Sequence, residues 1–276
     1  MLKQRVITAL ILAPLLVWGI IALDTQWLGL LLGVFIVIGA WEWSRFIGFT
    51  KPAERTVYSL IVAAAIGAVG VAIGRTETVA LFIILIACAW WFIGALMVLR
   101  FRGASGLATG DRIHGFGAGV LVLTATWVAL VYIHGSSIKG PYLLLFLMLL
   151  IWAADIGAYF AGRKFGQRKL APKVSPGKTI EGVIGGLCAS LLVAVVGMFL
   201  FEIPLMDALW FIPLCIIVVI FSVMGDLLES LFKRRVGVKD SGTIFPGHGG
   251  VMDRIDSLTA AAPVFALGLI LFGGVA

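Results

Sequence analysis

The recurrence of long apolar runs constrains this chain more than any other feature of its sequence. Nine runs approach or exceed the length that crosses about 30 Å of hydrocarbon. They lie near residues 6–23, 27–47, 57–73, 78–99, 115–133, 141–161, 180–201, 205–225 and 257–275. Because a backbone in lipid must satisfy its own hydrogen bonds, each run is predicted to be an α-helix. The sequence therefore predicts an all-α, polytopic integral membrane protein with about nine transmembrane helices.

Charge is scarce and unevenly distributed. Only 13% of the 276 residues are charged, about half of the share in soluble domains, and the mean hydropathy is +1.12. If the N-terminus is cytoplasmic, every Lys and Arg except Arg75 and Lys139 falls in a cytoplasmic segment. This asymmetry predicts nine spans with a cytoplasmic N-terminus and an external C-terminus. The net charge of +7 is assigned to this membrane face, and no nucleic-acid partner is expected.

Polar groups are concentrated in the second half of the chain. Residues 1–140 consist of apolar spans joined by short connections, and we predict that they serve as a packing scaffold. Residues 141–276 contain acidic side chains within or beside the spans and two long polar loops. Because chemistry in a membrane requires such groups, residues 141–276 are predicted to carry the catalytic site.

Asp155 is the first acidic group inside this second half. It lies well within an apolar run, where a bare carboxylate costs several kcal/mol. A charge at this depth favours a functional role, and the alternative is a structural Asp that caps a neighbouring helix or pairs with a base.

The segment KLAPKVSPGKTIEG, residues 169–182, forms the first polar loop. Either Ser175 or Thr179 is predicted to cap the helix that begins near residue 179. The free amides at that helix start favour an anion, and Lys178 adds a mobile positive charge. Glu181 lies in the first helical turn, where it either caps the helix or contacts a substrate.

The richest polar group extends from Ser222 to Ser257. If the eighth helix continues past Gly225, one face carries a polar stripe at its cytoplasmic end. Its members are Ser222, Asp226, Glu229, Ser230 and Lys233. Asp253 and Asp256 open the ninth helix, after the glycine-rich turn PGHGG. Carboxylates from two helix ends beside basic residues suit Mg²⁺ and phosphate. This pattern predicts metal-dependent phosphoryl or nucleotidyl transfer, and the alternative is a solvated loop with internal ion pairs.

The segment SLFKRRVGVKDSGTIFPGHGGVMDRID resembles the signature of the phosphatidate cytidylyltransferases, also called CDP-diglyceride synthetases. The matching positions are Ser230, Lys233, Arg234, Lys239, Asp240, His248, Gly249, Gly250, Asp253, Arg254 and Asp256. ADIGAYFAGRKFG, LAPKVSPGKTIEG and GDLLESLFKR are also similar to family segments. The resemblance covers about residues 150–265 well and the N-terminal half mainly through its pattern of spans.

The resemblance implies transfer of CMP from CTP to phosphatidate, which gives CDP-diacylglycerol and pyrophosphate in phospholipid biosynthesis. It implies Asp226 and Asp253 as catalytic ligands of Mg²⁺, acting in either a two-metal site or a site that pairs one divalent with one monovalent cation. The other residues assigned to catalysis are Lys239, Asp240, Arg254 and Asp256. The residues assigned to substrate binding are Asp155, Lys178, Glu181, Ser230, Lys233, Arg234, His248, Gly249 and Gly250. The family also implies a multi-pass protein of a bacterial-type cytoplasmic (inner) membrane, and a homodimer is compatible with it.

The sequence also bears on three other classes of membrane protein. A transporter would place polar groups through both halves, whereas the first half has few. A CDP-alcohol phosphotransferase would carry a D-G-x-x-A-R pattern that this sequence lacks. A polyprenyl-phosphate sugar transferase shares the Mg²⁺ and Asp chemistry, but no further feature of the sequence points to it.

Overall fold

The computed structural model describes the backbone of residues 2–74, 76, 78–101, 109–244 and 249–272. Side chains are described over the same ranges except for residues 2–9, 11, 109 and 110. The helices of this part of the chain are α1 Leu2–Ala22, α2 Thr25–Phe46, α3 Pro52–Ile73, α4 Thr78–Arg100, α5 Thr109–Gly135, α6 Gly140–Phe165, α7 Ile180–Leu200, α8 Ala208–Arg235 and α9 Met252–Leu271. The strands are β1 Lys169–Ala171 and β2 Ser175–Thr179.

The helices have the length and composition of membrane spans. Each helix from α2 to α9 includes an apolar stretch long enough to cross a bilayer, and α1 contributes the shorter apolar segment Leu12–Ala22. Large apolar side chains such as Trp27, Phe92 and Phe199 face outward, as expected where lipid replaces water. The predicted fold class is confirmed: the chain is an all-α, multi-pass membrane protein.

Close helix packing depends on small residues at the crossing points. Gly157 of α6 faces the backbone of Gly185 in α7, and a methyl group on either would collide with the other helix. Gly225 of α8 similarly contacts the Asp256 carbonyl in α9. Small residues allow membrane helices to approach at backbone distance. At Gly225, this approach places Asp226 beside the first turns of α9.

Two helices extend further toward the site than the apolar runs predicted. The eighth apolar run ends near residue 225, but α8 continues through Gly225 to Arg235, which is the condition under which the polar stripe was predicted. The ninth apolar run begins near residue 257, whereas α9 begins at Met252, which confirms the prediction that Asp253 and Asp256 lie at its start. Polar residues occupy both extensions, so hydropathy alone could not identify them as helical. The acidic and basic residues between 226 and 235 therefore project from a rigid helix.

The polar segment 169–182 is a hairpin followed by a helix, so the predicted loop is wrong for residues 169–179, while the predicted helix start near residue 179 is confirmed. Strands β1 and β2 are antiparallel, with Lys169 opposite Thr179. Thr179, rather than Ser175, caps α7 because its Oγ accepts a hydrogen bond from the Gly182 amide at 3.1 Å. Buried Val174 at the hairpin turn packs against Leu227 and Leu231 of α8. This contact fixes the hairpin beside the polar end of α8.

Candidate functional site

The hairpin supplies a cation to the carboxylate of α8. Lys178 of β2 places its Nζ 2.6 Å from Oδ2 of Asp226, and both side chains are between a quarter and a third exposed. The other carboxylate oxygen, Oδ1, accepts a hydrogen bond from the Ser230 hydroxyl at 3.3 Å. Ser230 lies one helical turn after Asp226, so the spacing of four residues brings the two side chains together.

A second ion pair joins α8 to α9. Lys233 Nζ donates to Oδ1 of Asp253 at 2.7 Å, and the side chains are only 12% and 8% exposed. The same Nζ lies 3.2 Å from Oε1 of Glu229, at angles outside those of a hydrogen bond. Glu229 is buried and lies one helical turn before Lys233. One ammonium group therefore faces two carboxylates in a poorly solvated position.

The other oxygen of Asp253 is surrounded by donors. Its Oδ2 accepts from the Ser241 amide at 2.8 Å, the Ser241 hydroxyl at 2.8 Å and the Gly250 amide at 2.9 Å. Gly249 has a φ of +83°, which favours glycine, and a Cβ there would lie 2.5 Å from Oδ2 of Asp253. The glycine thus allows the backbone to enclose a charged side chain.

Two more acidic groups lie near these pairs. The carboxyl group of Asp155 in α6 interacts electrostatically with Asp226, Lys178 and Arg254. Asp256 interacts electrostatically with Asp226 and Lys178, and its Oδ1 accepts from the Ser257 amide at 2.6 Å. The structure therefore brings together predicted site residues from α6, β2, α8 and α9.

Several other predicted residues make their hydrogen bonds to partners outside this group. Glu181 binds Arg168 Nε at 2.9 Å and the amides of Gln167 and Arg168, which secures the hairpin base. Arg234 donates through Nε to the Val174 carbonyl at 3.2 Å. Ser222, predicted to share the polar stripe, donates to the Val219 carbonyl of its own helix.

Three remaining predicted residues belong to the segment between α8 and α9. Lys239 and Asp240 are exposed on the approach to Ser241. His248, predicted to bind substrate, lies outside the described residues. The roles assigned to these residues stay predictions.

Two residues of the N-terminal half, Glu42 and Arg45, contact the site although the sequence did not assign them to it. Glu42 Oε2 accepts from the Ser241 hydroxyl at 2.9 Å and from the Met252 amide at 2.8 Å. Arg45 donates through Nη1 to the Ser241 carbonyl at 3.2 Å. Glu42 could have been identified from the sequence because, like Asp155, it is an acidic residue within a predicted membrane span. Residues 1–140 therefore contribute side chains to this region, and their predicted role as a scaffold stays a prediction.

The donor set limits how a metal ion could be held. Within the described residues, no three Asp, Glu, His or Cys side chains converge closely enough to bind a metal by themselves. Mg²⁺ commonly uses one or two protein carboxylates and completes its coordination with water and substrate phosphates. Asp226 and Asp253, from adjoining helix ends, are the carboxylates that would supply this smaller share of ligands, and in this structure each is paired with a lysine.

Comparison with known proteins identifies the family. The model of the cytidylyltransferase family matches residues 3–272. The chain belongs to the cytidylyltransferase family. A phosphatidate cytidylyltransferase of Pseudomonas aeruginosa is 43% identical over 266 residues, which cover 96% of each chain. A protein of the same name from Haemophilus influenzae is 40% identical over 286 residues, covering 96% of this chain and 98% of the relative.

The family match extends over the whole site of this cytidylyltransferase-family protein. Residues 3–272 include α2, which carries Glu42, as well as the hairpin and helices α6, α8 and α9. Near-complete coverage of the two relatives shows that the likeness is not confined to the signature between Ser230 and Asp256. Glu42 and Arg45 therefore lie within the matched region together with the site residues of the second half.

Gly249→Ala is expected to lower the turnover of this family member by at least about tenfold. Losing a group that orients a site ligand typically lowers metal affinity or activity about 10- to 100-fold. The added methyl group would strain a left-handed backbone and collide with Asp253. The matched control is Gly177→Ala in β2, where a Cβ meets nothing within 4 Å. Steady-state rates of both purified variants test this expectation, and equal rates for the two would contradict it.

Proposed function

We propose that this chain transfers CMP from CTP to phosphatidate and releases CDP-diacylglycerol and pyrophosphate. The observation that carries this proposal is 43% identity over 96% of both chains with a protein named phosphatidate cytidylyltransferase. The site supports it chemically, because its paired carboxylates and ammonium groups suit a reaction between two anionic phosphates.

In the proposed reaction, an oxygen of the phosphatidate phosphate attacks the α-phosphorus of CTP. The bond from that phosphorus to the oxygen bridging it to the β-phosphate breaks, and pyrophosphate leaves with its electron pair. The attacking oxygen is already anionic, so the reaction requires no strong general base. Catalysis then depends on positioning two phosphates in line and on neutralising their charge.

Lys178, Lys233 and Arg254 would provide this neutralisation. Lys178 and Lys233 are each held by a carboxylate at 2.6–2.7 Å, so their ammonium groups are positioned before a substrate binds. Arg254 is exposed at the start of α9 and interacts electrostatically with Asp155. Cations that are already oriented reduce the reorganisation needed as charge moves to the leaving group.

Asp226 and Asp253 would hold Mg²⁺, as the fit of the donor set suggests. When bound, the ion would neutralise phosphate charge and orient the triphosphate. Ser230 would orient Asp226 through its hydroxyl, and Ser241 and Gly250 would orient Asp253. The proposal includes three forms of this site, which hold one divalent ion, two divalent ions, or one divalent and one monovalent ion.

The site is proposed to lie at the cytoplasmic surface of a bacterial inner membrane, with the N-terminus cytoplasmic. The distribution of Lys and Arg in the sequence supports this orientation. CTP is water-soluble and phosphatidate is a membrane lipid, so the two substrates can meet only at such a boundary. The exposed carboxylate of Asp155 in the membrane-spanning helix α6 would mark the lipid side of the site.

Pyrophosphate release by the purified protein, with CTP, phosphatidate and Mg²⁺ in mixed micelles, tests the proposal. Release is expected to require both substrates and to stop when EDTA removes the metal. Diacylglycerol, which lacks the attacking phosphate, should give no product and serves as the matched acceptor control. The absence of CTP-dependent release with phosphatidates of several chain lengths would overturn the proposed activity.

A further inference from the structure

A buried carboxylate of the N-terminal half joins both ends of the segment between α8 and α9. Glu42 of α2 is 2% exposed, and its Oε2 binds the Ser241 hydroxyl on one side and the Met252 amide on the other. A Cβ at Gly242 or Gly250 would collide with the same carboxylate. Backbone from before and after residues 243–249 therefore meets at one side chain.

The neighbouring turn of α2 reinforces this contact. Arg45, three residues after Glu42 and hence on the same helix face, donates to the Ser241 carbonyl at 3.2 Å. Gly39, three residues before Glu42, brings α2 close enough that a Cβ would lie 3.2 Å from Met252 Sδ. One face of α2 thus holds Ser241 through both its hydroxyl and its carbonyl.

Ser241 links Glu42 to Asp253. Its hydroxyl lies 2.9 Å from Oε2 of Glu42 and 2.8 Å from Oδ2 of Asp253. The amide of Asp253 donates back to that hydroxyl at 3.3 Å. Because one hydroxyl has a single hydrogen and two acceptors, its position depends on both carboxylates. The orientation of Asp253 is therefore sensitive to Glu42.

We propose that Glu42 is a positioning residue, which acts through Ser241 and the Met252 amide to keep Asp253 aimed at Lys233. This role rests on the proposed nucleotidyl transfer, because it assigns Glu42 to the geometry of that site. The hydrogen bonds accepted by Oε2 carry the effect, rather than the negative charge. A charge-free acceptor of the same shape should therefore suffice.

Glu42→Ala, Glu42→Gln and the control Ser59→Ala distinguish this role from simple packing. Glu42→Ala is expected to lower kcat about 10- to 100-fold, the usual effect of removing an outer partner of a site ligand. Glu42→Gln should stay within about threefold of the wild type, since its amide oxygen accepts both bonds. Ser59 of α3 is buried with no hydrogen-bond partner for its hydroxyl among the described residues, so Ser59→Ala should match the wild type.

Hydrogen–deuterium exchange provides a readout that does not depend on activity. In Glu42→Ala, peptides that include Ser241, Gly250 and Met252 should exchange faster than in the wild type, with no change in peptides from α6. In Glu42→Gln, exchange should stay near wild-type rates. Unchanged exchange in Glu42→Ala, or equal losses of kcat in the Ala and Gln variants, would overturn the positioning role.

Ser241→Ala provides a second test of the link. Because Glu42 acts through Ser241, the double variant Glu42→Ala/Ser241→Ala should lose little more than the more impaired single variant. If Glu42→Ala cannot be purified, Ser241→Ala alone decides, and wild-type turnover with wild-type exchange would overturn the proposal. If the wild type releases no pyrophosphate, the proposed activity fails while the exchange results still decide the role of Glu42.

Discussion

Asp253→Asn is expected to lower the rate of pyrophosphate release by at least about 100-fold, a usual effect of removing a preorganised charged contact. Oδ2 accepts hydrogen bonds from the Ser241 and Gly250 amides and shares the Ser241 hydroxyl with Glu42, and Oδ1 accepts one from Lys233. The Asn nitrogen must replace one of these oxygens and would then face a donor. Either orientation loses contacts, and both lose the negative charge that would hold Mg²⁺.

The matched control for this substitution is Asp207→Asn. Asp207 precedes α8 at the end opposite the site, and its side chain forms no capping hydrogen bond. That end lies about 40 Å along the helix from Arg235 at 1.5 Å per residue. Asp207→Asn should keep wild-type turnover, and Asp226→Asn should behave like Asp253→Asn. Full activity in either site variant would refute the metal assignment and leave the family membership unaffected.

The sequence predicted the membrane fold because hydropathy records directly which segments contact lipid. Hydropathy left open whether the eighth helix continues past Gly225 into polar sequence. The extension of α8 from Gly225 to Arg235 is stabilised by tertiary contacts such as the packing of Leu231 against Val174. The hairpin at 169–179 depends on the same contact, so its strands could not be predicted from local pattern alone.

For the site, the sequence identified the charged residues but not their partners. Spacing along α8 accounts for the contact of Asp226 with Ser230 and of Glu229 with Lys233. The pairs formed by Lys178 with Asp226 and by Lys233 with Asp253 depend on how separate elements pack. Glu42 is separated from Ser241 by 199 positions, so only the folded chain reveals their contact.

Lys233→Met is expected to destabilise the protein more than the loss of a surface ion pair would. The ammonium group of Lys233 faces two carboxylates, those of Glu229 and Asp253, and the Glu229 side chain is only 2% exposed. Removing one partner of a buried ion pair costs about 3–5 kcal/mol, because the remaining charge is left without compensation. Lys178→Met breaks the more exposed pair with Asp226 and should cost about 1 kcal/mol or less.

The double variant Lys233→Met/Glu229→Gln separates the contribution of Lys233 to stability from its contribution to the reaction. Removing the buried charge of Glu229 should restore most of the stability, measured as the midpoint of thermal unfolding in detergent. Pyrophosphate release should remain low, since Asp253 and the substrate phosphates still lack the ammonium group. If activity returned together with stability, Lys233 would serve only to neutralise Glu229. Because the two measurements respond differently to the same pair of substitutions, they test the proposed phosphate contact of Lys233 independently of its effect on folding.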